Sequence, residues 1–327
     1  MKSMKSVLFC TAIAAITATI ISLVQTDWWV IRALDLVREP ALYVFAALAL
    51  TSAIFGQSLR VWSAGLFAIA ACINAWCIWP YSRFAAPDLE LVGTAGDERC
   101  FSALSANVKM ENREFAGVID QLDAYDPDLI FLTETNQAWI DALKPVLSRY
   151  PNVSTHPQDD TFGKVFASRL ATIDTDFIEQ PGEDTPTFYA LLKASDTGTV
   201  RFTGLHPKAP LPGQNTQERD QSIQRAADKA GTAVTGAIVM GDFNDVPWSR
   251  TTSDFRERGE WKDPRIGRGT YPTFPSFLLP IGWPLDQVMV KGDVQVRMLK
   301  VLAGSGSDHR ALFAEFCLPQ AIRMIEP

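Results

Sequence analysis

Three long stretches without a charged side chain lie within the first 84 residues, and they constrain the fold more than any other feature of the sequence. They cover residues 6–26, 40–59 and 61–82. Each has about the 20 residues that an α-helix needs to cross the hydrocarbon core of a bilayer. Three such stretches in succession, separated by short polar breaks, predict a multi-pass membrane region at residues 1–84 with about three transmembrane helices.

Aromatic residues flank two of these stretches, where aromatic side chains collect at a membrane surface. Trp28 and Trp29 follow the first stretch, and Trp79 and Tyr81 end the third. The first stretch has an alternative interpretation as a cleaved signal peptide, because two lysines precede an alanine-rich apolar segment. Both interpretations place the rest of the chain outside the cytoplasm. We therefore expect a multi-pass protein of the inner or plasma membrane whose second domain is extracytoplasmic.

The charges are unevenly divided between the membrane region and the rest of the chain. The sequence has 30 Lys and Arg against 37 Asp and Glu, of which residues 1–84 hold only six basic and three acidic side chains. The net negative charge of the remainder argues against sequence-independent nucleic-acid binding, which relies on Lys and Arg to neutralise phosphates. Nucleic acid is therefore the less favoured partner, although a nuclease is not excluded because a bound metal can supply positive charge.

Short apolar runs alternate with helical patterns beyond the membrane region. Residues 85–98 contain a proline and two glycines and are interpreted as a linker to one domain at 99–327. Roughly ten strand candidates and few helices predict two β-sheets packed face to face with helices outside, an α/β sandwich. The predicted strands are Cys100–Asn107, Pro127–Thr133, Phe162–Ala167, Phe188–Lys193, Val200–His206, Ala237–Gly241, Leu285–Val290, Val296–Val301 and Arg310–Phe316. The predicted helices are Glu111–Leu122, Thr216–Lys229 and Ser249–Arg258.

Polar side chains stand at the ends of several predicted strands. Asn107 ends the first strand, Glu134 follows the second, and Asp242 and Asn244 follow the run 237–241 within the sequence Gly-Asp-Phe-Asn. Taken singly, each is more typical of a turn or a helix cap. Polar groups delivered to one rim of a sheet by separate strands can nevertheless form one site.

The order of these residues along the chain resembles the endonuclease/exonuclease/phosphatase superfamily. The pattern also includes Asp286 in Pro-Leu-Asp and a Ser-Asp-His segment at 307–309, and it covers residues 99–318. The resemblance implies a four-layer α/β sandwich and a divalent-metal-dependent phosphoester hydrolase, a phosphodiesterase or a phosphatase, that uses Mg²⁺ (or Mn²⁺). The membrane region, Leu-His-Pro at 205–207 and the sequence 270–275 are similar to the membrane-anchored bacterial branch of that family.

The resemblance, together with the needs of phosphate-ester cleavage, implies a role for each residue. A dication neutralises phosphate oxygens, and Mg²⁺ prefers oxygen ligands that include one or two carboxylates. The expected metal ligands are Asn107, Glu134 and Asp308. The expected catalytic residues are His309, as general base or phosphate contact oriented by Asp286; Asp242, which orients or deprotonates the attacking water; Asn244, a phosphate donor; and His206, which contacts the phosphate or protonates the leaving group.

Three features depart from the family pattern or leave it incomplete. Gln287 follows the Pro-Leu-Asp segment where the branch often has an aromatic residue or histidine, so that part of the pocket is expected to be remodelled. No carboxylate partner of His206 is evident, and Asp159 and Asp160 are the nearest candidates. Arg219 is expected on a solvated helix face rather than at a phosphate.

Two cysteines lie outside the membrane region. Cys100 begins the first predicted strand and Cys317 follows the last, and the resemblance implies that these two strands are neighbours. Antiparallel pairing brings the two sulfurs to the same edge of the sheet, where a disulfide can form. The alternative is a pair of buried free thiols. A disulfide would fit an oxidising compartment.

The expected function is a membrane-anchored phosphoester hydrolase with its active site outside the cytoplasm. Tethering to the bilayer raises the effective concentration of membrane-borne substrates, such as a lipid phosphate or a phospholipid head group. An extracytoplasmic nuclease and a catalytically inactive binding protein of the same fold are the alternatives.

Overall fold

Two mixed β-sheets packed face to face form the centre of the larger domain, with helices on both outer faces. The computed structural model describes residues 2–55, 59–93, 99–180, 183–194, 198–210, 213, 216–229, 234–278 and 282–319. The helices are α1 Lys2–Ile21, α2 Trp29–Leu36, α3 Arg38–Phe55, α4 Arg60–Ile78, α5 Phe115–Tyr125, α6 Gln137–Leu147, α7 Gln217–Lys229 and α8 Arg250–Gly259. The strands are β1 Arg99–Asn107, β2 Leu129–Thr133, β3 Asn152–His156, β4 Lys164–Ser168, β5 Ala171–Gln180, β6 Glu183–Lys193, β7 Thr199–Leu205, β8 Gly236–Asp242, β9 Asp286–Gly292, β10 Gln295–Gly304 and β11 Arg310–Leu318.

The strand order brings the ends of six strands to one rim of the sandwich. One sheet has the order β10-β11-β1-β2-β4-β3 and the other β5-β6-β7-β8-β9. The pairs β1–β2 and β7–β8 are parallel, so these four strands deliver their carboxyl ends to that rim. Strands β9 and β11 run antiparallel to β8 and β1, and they therefore begin there.

Aromatic side chains fill the space between the two sheets. Phe131 and Phe166 from one sheet meet Phe188 and Phe202 from the other, with ring centroids 4.6 Å apart for Phe166 and Phe188. Helices α5 and α6 cover the outer face of the first sheet, and α7 and α8 cover that of the second. The arrangement confirms the α/β sandwich expected from the sequence.

Several elements differ from the sequence-based expectation. Helix α6 was not expected, although Asn136 caps it by accepting a hydrogen bond from the backbone of Trp139. Its interior Pro145 breaks the helical pattern that sequence reasoning relies on. Strands β3 and β5 were also not expected. Both lie at sheet edges, and no residue of β3 is buried, so neither presents the apolar run of a core strand.

Cys100 and Cys317 form a disulfide. They are direct partners in the antiparallel register of β1 and β11, and their Cα atoms are 4.0 Å apart. The bond lies at the amino end of β1, and Asn107 is at the other end of the same strand. The disulfide therefore joins two central strands at the end of the sheet opposite the predicted site.

The amino-terminal region consists of helices that pack on one another. Two of its helical stretches, Arg38–Phe55 and Arg60–Tyr81, are long and apolar enough to cross a membrane, judged by length and composition alone. The apolar part of α1, Ser6–Ile21, is shorter. Membrane insertion and its topology stay predictions. Residues 56–58 of the second predicted span, 94–98 of the predicted linker and 320–327 of the predicted domain lie outside the described residues.

The segment between α1 and α3 binds the larger domain through buried ion pairs. Arg32 of α2 forms ion pairs with Asp220 and Asp245 of the larger domain and donates to Thr251, and Trp248 Nε1 donates to the backbone oxygen of Asp35. The expectation for Arg219 was wrong. This residue is only 4% exposed and pairs with Asp220 and Asp245, because α7 turns this face toward the buried contact rather than toward solvent.

Candidate active site

All eight predicted site residues lie at the rim where the six strand ends meet. Asn107 is the last residue of β1, Glu134 follows β2, and His206 follows β7. Asp242 is the last residue of β8, and Asp286, the first residue of β9, is its register partner. Asp308 and His309 immediately precede β11, and Asn244 lies in the turn after β8.

The backbone at this rim adopts conformations that most residues avoid. Glu134 and Asn244 have φ angles of 61° and 48°. Left-handed backbone at a residue other than glycine carries a conformational cost, and such residues concentrate at functional sites. Gly241 has a φ of 140°, and a Cβ atom there would lie 2.0 Å from the backbone oxygen of Leu205. Only glycine therefore allows β7 and β8 to approach closely enough to place Asp242.

Asp242 is at the centre of the site. Its Oδ2 accepts a hydrogen bond from Asn107 Nδ2 at 3.0 Å, and it lies 3.7 Å from Nε2 of both His206 and His309. Asn107 Nδ2 also donates to Glu134 Oε1 at 2.7 Å. The carboxylate of Asp242 therefore faces both histidines of the site.

His309 and Asp286 form a buried pair. Nδ1 of His309 lies 2.8 Å from Asp286 Oδ2, and Asp286 is itself held by its backbone N–H, which donates to Thr273 Oγ1. Burial alone lowers the pKa of His309, but the carboxylates of Asp286 and Asp242 outweigh it and raise the pKa to about 10. His309 is therefore an imidazolium at neutral pH, with Nε2 directed toward Asp242.

His206 has the opposite electrostatic state. Burial lowers its pKa to about 4, more than the nearby carboxylate of Asp242 can offset. The predicted pairing with Asp159 or Asp160 was wrong, because the carboxylates nearest its Nε2 are Asp242 at 3.7 Å and Glu134 at 3.8 Å. Its Nδ1 finds no hydrogen-bond partner within the described part of the chain. The site thus holds one cationic and one neutral imidazole.

Glu134 and Asp308 occupy the more open side of the site. Burial raises the pKa of Glu134, hydrogen bonds from Asn107 and the backbone of Met110 oppose this, and Asp242 raises it further. Asp308 accepts from Lys109 Nζ at 3.0 Å. Sequence reasoning missed Lys109, although its position two residues after the end of β1 was the available signal.

The donor set fits a divalent cation in charge and in chemistry. Glu134, Asp242, Asp286 and Asp308 supply four negative charges against the two positive charges of Lys109 and His309. The excess equals the charge of one Mg²⁺. Over the described residues no group of three or more His, Cys, Asp or Glu side chains is spaced to enclose a metal. Mg²⁺ does not require one, because it binds through one or two carboxylates and completes its shell with water and substrate phosphate.

Asn244 and Ser307 hold the groups of the candidate site in place. Asn244 donates its backbone N–H to Asp242 Oδ1 at 2.8 Å, and its side-chain amide donates to the backbone oxygen of Pro207. Ser307 Oγ donates a hydrogen bond to the backbone oxygen of Asn107 and accepts one from the backbone N–H of His309, and it thereby joins β1 to the last loop. Gln287 contacts Asp245 and Arg265 rather than the catalytic groups. The presence of glutamine at position 287 therefore affects the packing beneath α7 and α8. It does not remodel the pocket, contrary to what the sequence led us to expect.

Comparison with known proteins identifies the family. The model of the Endonuclease/Exonuclease/phosphatase family matches residues 104–309, more than half of the chain. The chain belongs to this family. Members of the superfamily are phosphoester hydrolases. A sequence comparison with curated proteins finds no match.

Solved structures with the same fold include enzymes of different specificity. Humanized TDP2 of D. rerio has a TM-score of 0.56 and 16% identity, covering 67% of this chain and 99% of its own. The mannosyl-6-phosphatase of Bacteroides thetaiotaomicron has a TM-score of 0.53 and 16% identity, covering 66% and 99%. ANGEL2, a 2',3'-cyclic phosphatase, has a TM-score of 0.54 and 12% identity, covering 68% and 96%. At this level of identity the likeness shows the fold and not the substrate.

Proposed function

We propose that the chain is a membrane-anchored, divalent-metal-dependent phosphoester hydrolase whose active site faces outside the cytoplasm. One observation carries the chemical part of the proposal. The His309–Asp286 pair, neutral His206 and the carboxylates of Asp242 and Glu134 converge at one rim with an excess of two negative charges. Phosphate-ester hydrolysis needs this combination of a dication, a water-orienting acceptor and donors to the phosphate.

Each residue has a part in the proposed reaction. Glu134 and Asp308 would hold the metal, whose charge would neutralise phosphate oxygens. The amide oxygen of Asn107, an expected ligand, instead accepts a hydrogen bond from the backbone N–H of Lys109, and the amide nitrogen donates to Glu134 and Asp242. Asp242 accepts a hydrogen bond from the attacking water. The His309 imidazolium, held by Asp286, donates to a phosphate oxygen and stabilises the charge that develops in the transition state. Its high pKa favours this role over that of a general base. Neutral His206 is placed to donate to the leaving oxygen or to the phosphate.

Two observations support the membrane and compartment parts of the proposal. The contact of residues 27–38 with the larger domain requires the end of α1, the start of α3 and the end of α4 to lie on one side. Three spans from a cytoplasmic amino terminus satisfy that requirement. The Cys100–Cys317 disulfide is typical of an oxidising compartment. A substrate within or on the bilayer, such as a lipid phosphate or a phospholipid head group, fits this placement best.

Nuclease activity is the second candidate because TDP2 of D. rerio, with a TM-score of 0.55, is seen with a single-strand DNA product. The net negative charge of the chain, 30 basic against 37 acidic side chains, favours a small or lipid-linked phosphate ester instead. A third candidate is an inactive binding protein. The convergence of all eight predicted residues at one rim weighs against it.

A hydrolysis panel on the purified full chain in detergent tests the proposal. The substrates are a phosphomonoester, a phosphodiester, phosphatidic acid, a polyprenyl pyrophosphate and single-stranded DNA, each with Mg²⁺, Mn²⁺ or EDTA. We expect metal-dependent hydrolysis of at least one substrate, and its loss in Glu134→Gln but not in His156→Gln, a histidine of the edge strand β3 that stacks on Phe177. No turnover of any substrate with either metal would overturn the hydrolase proposal.

Topology is tested separately in cells. A reporter that is active only outside the cytoplasm is fused either after the last residue or near Arg60. We expect activity from the first fusion and none from the second. The reverse pattern would place the catalytic domain in the cytoplasm and remove the support for an external substrate.

A further inference from the structure

A cavity of about 700 Å³ lies between the amino-terminal helices and the larger domain, beside the candidate active site. Helices α3 and α4 form an apolar wall, and the larger domain and the residues after α4 form a basic one. The apolar wall includes Leu42, Ala75 and Ile78. The basic wall includes Arg83, Arg268 and Arg310. Glu39, at the start of α3, also lines the cavity. The cavity is therefore apolar on one side and has a net positive charge.

Arg310 indicates what the cavity binds. It is only 4% exposed, yet its Nε and Nη2 have no hydrogen-bond partner among the residues that the structure describes. A guanidinium group remains charged in proteins, and burying it without a partner is costly. Arg268, by contrast, donates to the backbone oxygens of Pro264, Ile266 and Leu89. Arg310 is thus the buried cation of this cavity that lacks an anion.

Aromatic residues place the cavity at the depth of lipid head groups. Tyr43 and Trp79 line it and are 65% and 51% exposed, and nearby Phe84 is 86% exposed. Exposed aromatic side chains at the end of transmembrane helices lie at the membrane–water interface. This step rests on the membrane part of the proposed function.

We propose that this cavity binds an anionic membrane phospholipid. Its phosphate pairs with Arg310, whose planar guanidinium matches the geometry of phosphate oxygens. Its acyl chains lie along Leu42, Ala75 and Ile78 of α3 and α4. The phosphate of the lipid supplies the anion that Arg310 lacks, and its acyl chains cover the apolar surface of the helices. One molecule therefore complements both walls of the cavity.

The proposed lipid site is separate from the catalytic centre but shares a wall with it. Tyr271 and Pro272 line the cavity. The next two residues belong to the active site: Thr273 Oγ1 accepts from Asp286 N, and the ring of Phe274 lies 4.8 Å from that of His309. A bound lipid therefore packs against the segment that holds the His309–Asp286 pair.

Native mass spectrometry of the full chain in detergent tests the lipid site without reading activity. The protein is titrated in EDTA with dioctanoyl phosphatidylglycerol, dioctanoyl phosphatidylcholine or inorganic phosphate. We expect about tenfold stronger retention of phosphatidylglycerol than of phosphatidylcholine, and no competition from millimolar phosphate. Arg310→Gln should remove the preference and Arg310→Lys should restore part of it. Arg258→Gln, at an exposed arginine paired with Asp228, should change nothing.

A second variant keeps the test decisive if Arg310→Gln does not fold. Ala75→Trp fills the apolar wall and should weaken retention of the lipid at least tenfold. Equal retention of both lipids by the unaltered protein, or unchanged binding in Ala75→Trp, would overturn the proposal, and effective competition by inorganic phosphate would assign the cavity to a free anion instead. Because no hydrolysis is read, a chain that binds the lipid and hydrolyses nothing would contradict the proposed enzyme alone.

Discussion

Two clusters of charged side chains in this molecule differ in their balance of positive and negative charge. The docking network, which joins α2 to the larger domain, has four arginines and four aspartates: Arg32, Arg38, Arg219, Arg250, Asp27, Asp35, Asp220 and Asp245. The catalytic cluster has four carboxylates but two cations: Glu134, Asp242, Asp286, Asp308, Lys109 and His309. The first cluster neutralises itself, whereas the second needs a positive charge from outside.

The difference separates a structural cluster from a functional one. Short ion pairs hold the docking network together, such as Arg219 to Asp220 at 2.6 Å and Arg38 to Asp35 at 2.8 Å. In the catalytic cluster, Glu134 combines a left-handed backbone with a carboxyl group whose pKa is raised, first by burial. Unfavourable backbone and uncompensated charge together are typical of sites shaped for a ligand rather than for stability.

Removing His309 should have the largest effect that the comparison predicts. His309→Gln takes away the cation that Asp286 and Asp242 hold, and we expect turnover to fall by about 10²–10⁴-fold with the fold retained. The measurement is steady-state hydrolysis with the substrate found in the panel. His156→Gln is the matched control and should keep full activity. A loss below about threefold in His309→Gln would remove His309 from the reaction.

Breaking the docking network should instead affect stability. Arg32→Met leaves Asp35, Asp220 and Asp245 with fewer partners in a buried place. Breaking a buried ion pair typically costs about 3–5 kcal/mol of unfolding free energy. Chemical unfolding of the full chain in detergent measures this cost, with Arg258→Met as the exposed control. A loss under about 1 kcal/mol would show that the network contributes little, despite its balance.

The catalytic cluster was predictable from sequence for a local reason. All of its members except Lys109, which the sequence did not reveal, lie at or near the end of a strand, and short apolar runs such as 237–241 and 129–133 mark the strands in the sequence. The parallel pairs β1–β2 and β7–β8, which the sequence did not predict, bring these strand ends to one rim. The order of Asn107, Glu134, Asp242 and His309 along the chain supplied the rest.

The docking network was not predictable in the same way. The pairs that join α2 to the larger domain link residues far apart in sequence, such as Arg32 with Asp220 and Asp245, and no local pattern marks them. Arg219 was expected on a solvated face because it stands in a polar helix, and only the contact between α7, α8 and α2 buries it. Arg310 was likewise included in a strand, with no sign that its guanidinium lines a cavity.

Lys164 sharpens the comparison because it is a buried lysine that belongs to neither cluster. Burial lowers its pKa to about 7, while Glu179 and Asp160 oppose the shift. The unfolded chain binds this proton up to about pH 10.5, so folding releases it between pH 7 and 10. Its contribution to the free energy of unfolding should therefore rise with pH across that window, by at most about 1.4 kcal/mol per pH unit. Lys164→Met should flatten the slope between pH 7.5 and 9. An unchanged slope in thermal melts would contradict the buried, neutral state.

The smallest predicted effect is that of Glu134→Gln on stability. It is the most direct test of the excess negative charge, because its sign should differ between EDTA and saturating Mg²⁺. The raised pKa of Glu134 means that its ionised form destabilises the folded state at pH 7, above its ordinary value of 4.5. Glu134→Gln should therefore stabilise the protein in EDTA, by about 1 kcal/mol, as is common when a strained site residue is replaced. Saturating Mg²⁺ stabilises a protein that binds it in the folded state only. The unaltered chain should gain more from Mg²⁺ than the variant does, and calorimetry should show weaker Mg²⁺ binding in the variant. Destabilisation by Glu134→Gln in EDTA, or equal gains from Mg²⁺, would mean that the catalytic cluster is balanced like the docking network and that Glu134 is not a metal ligand.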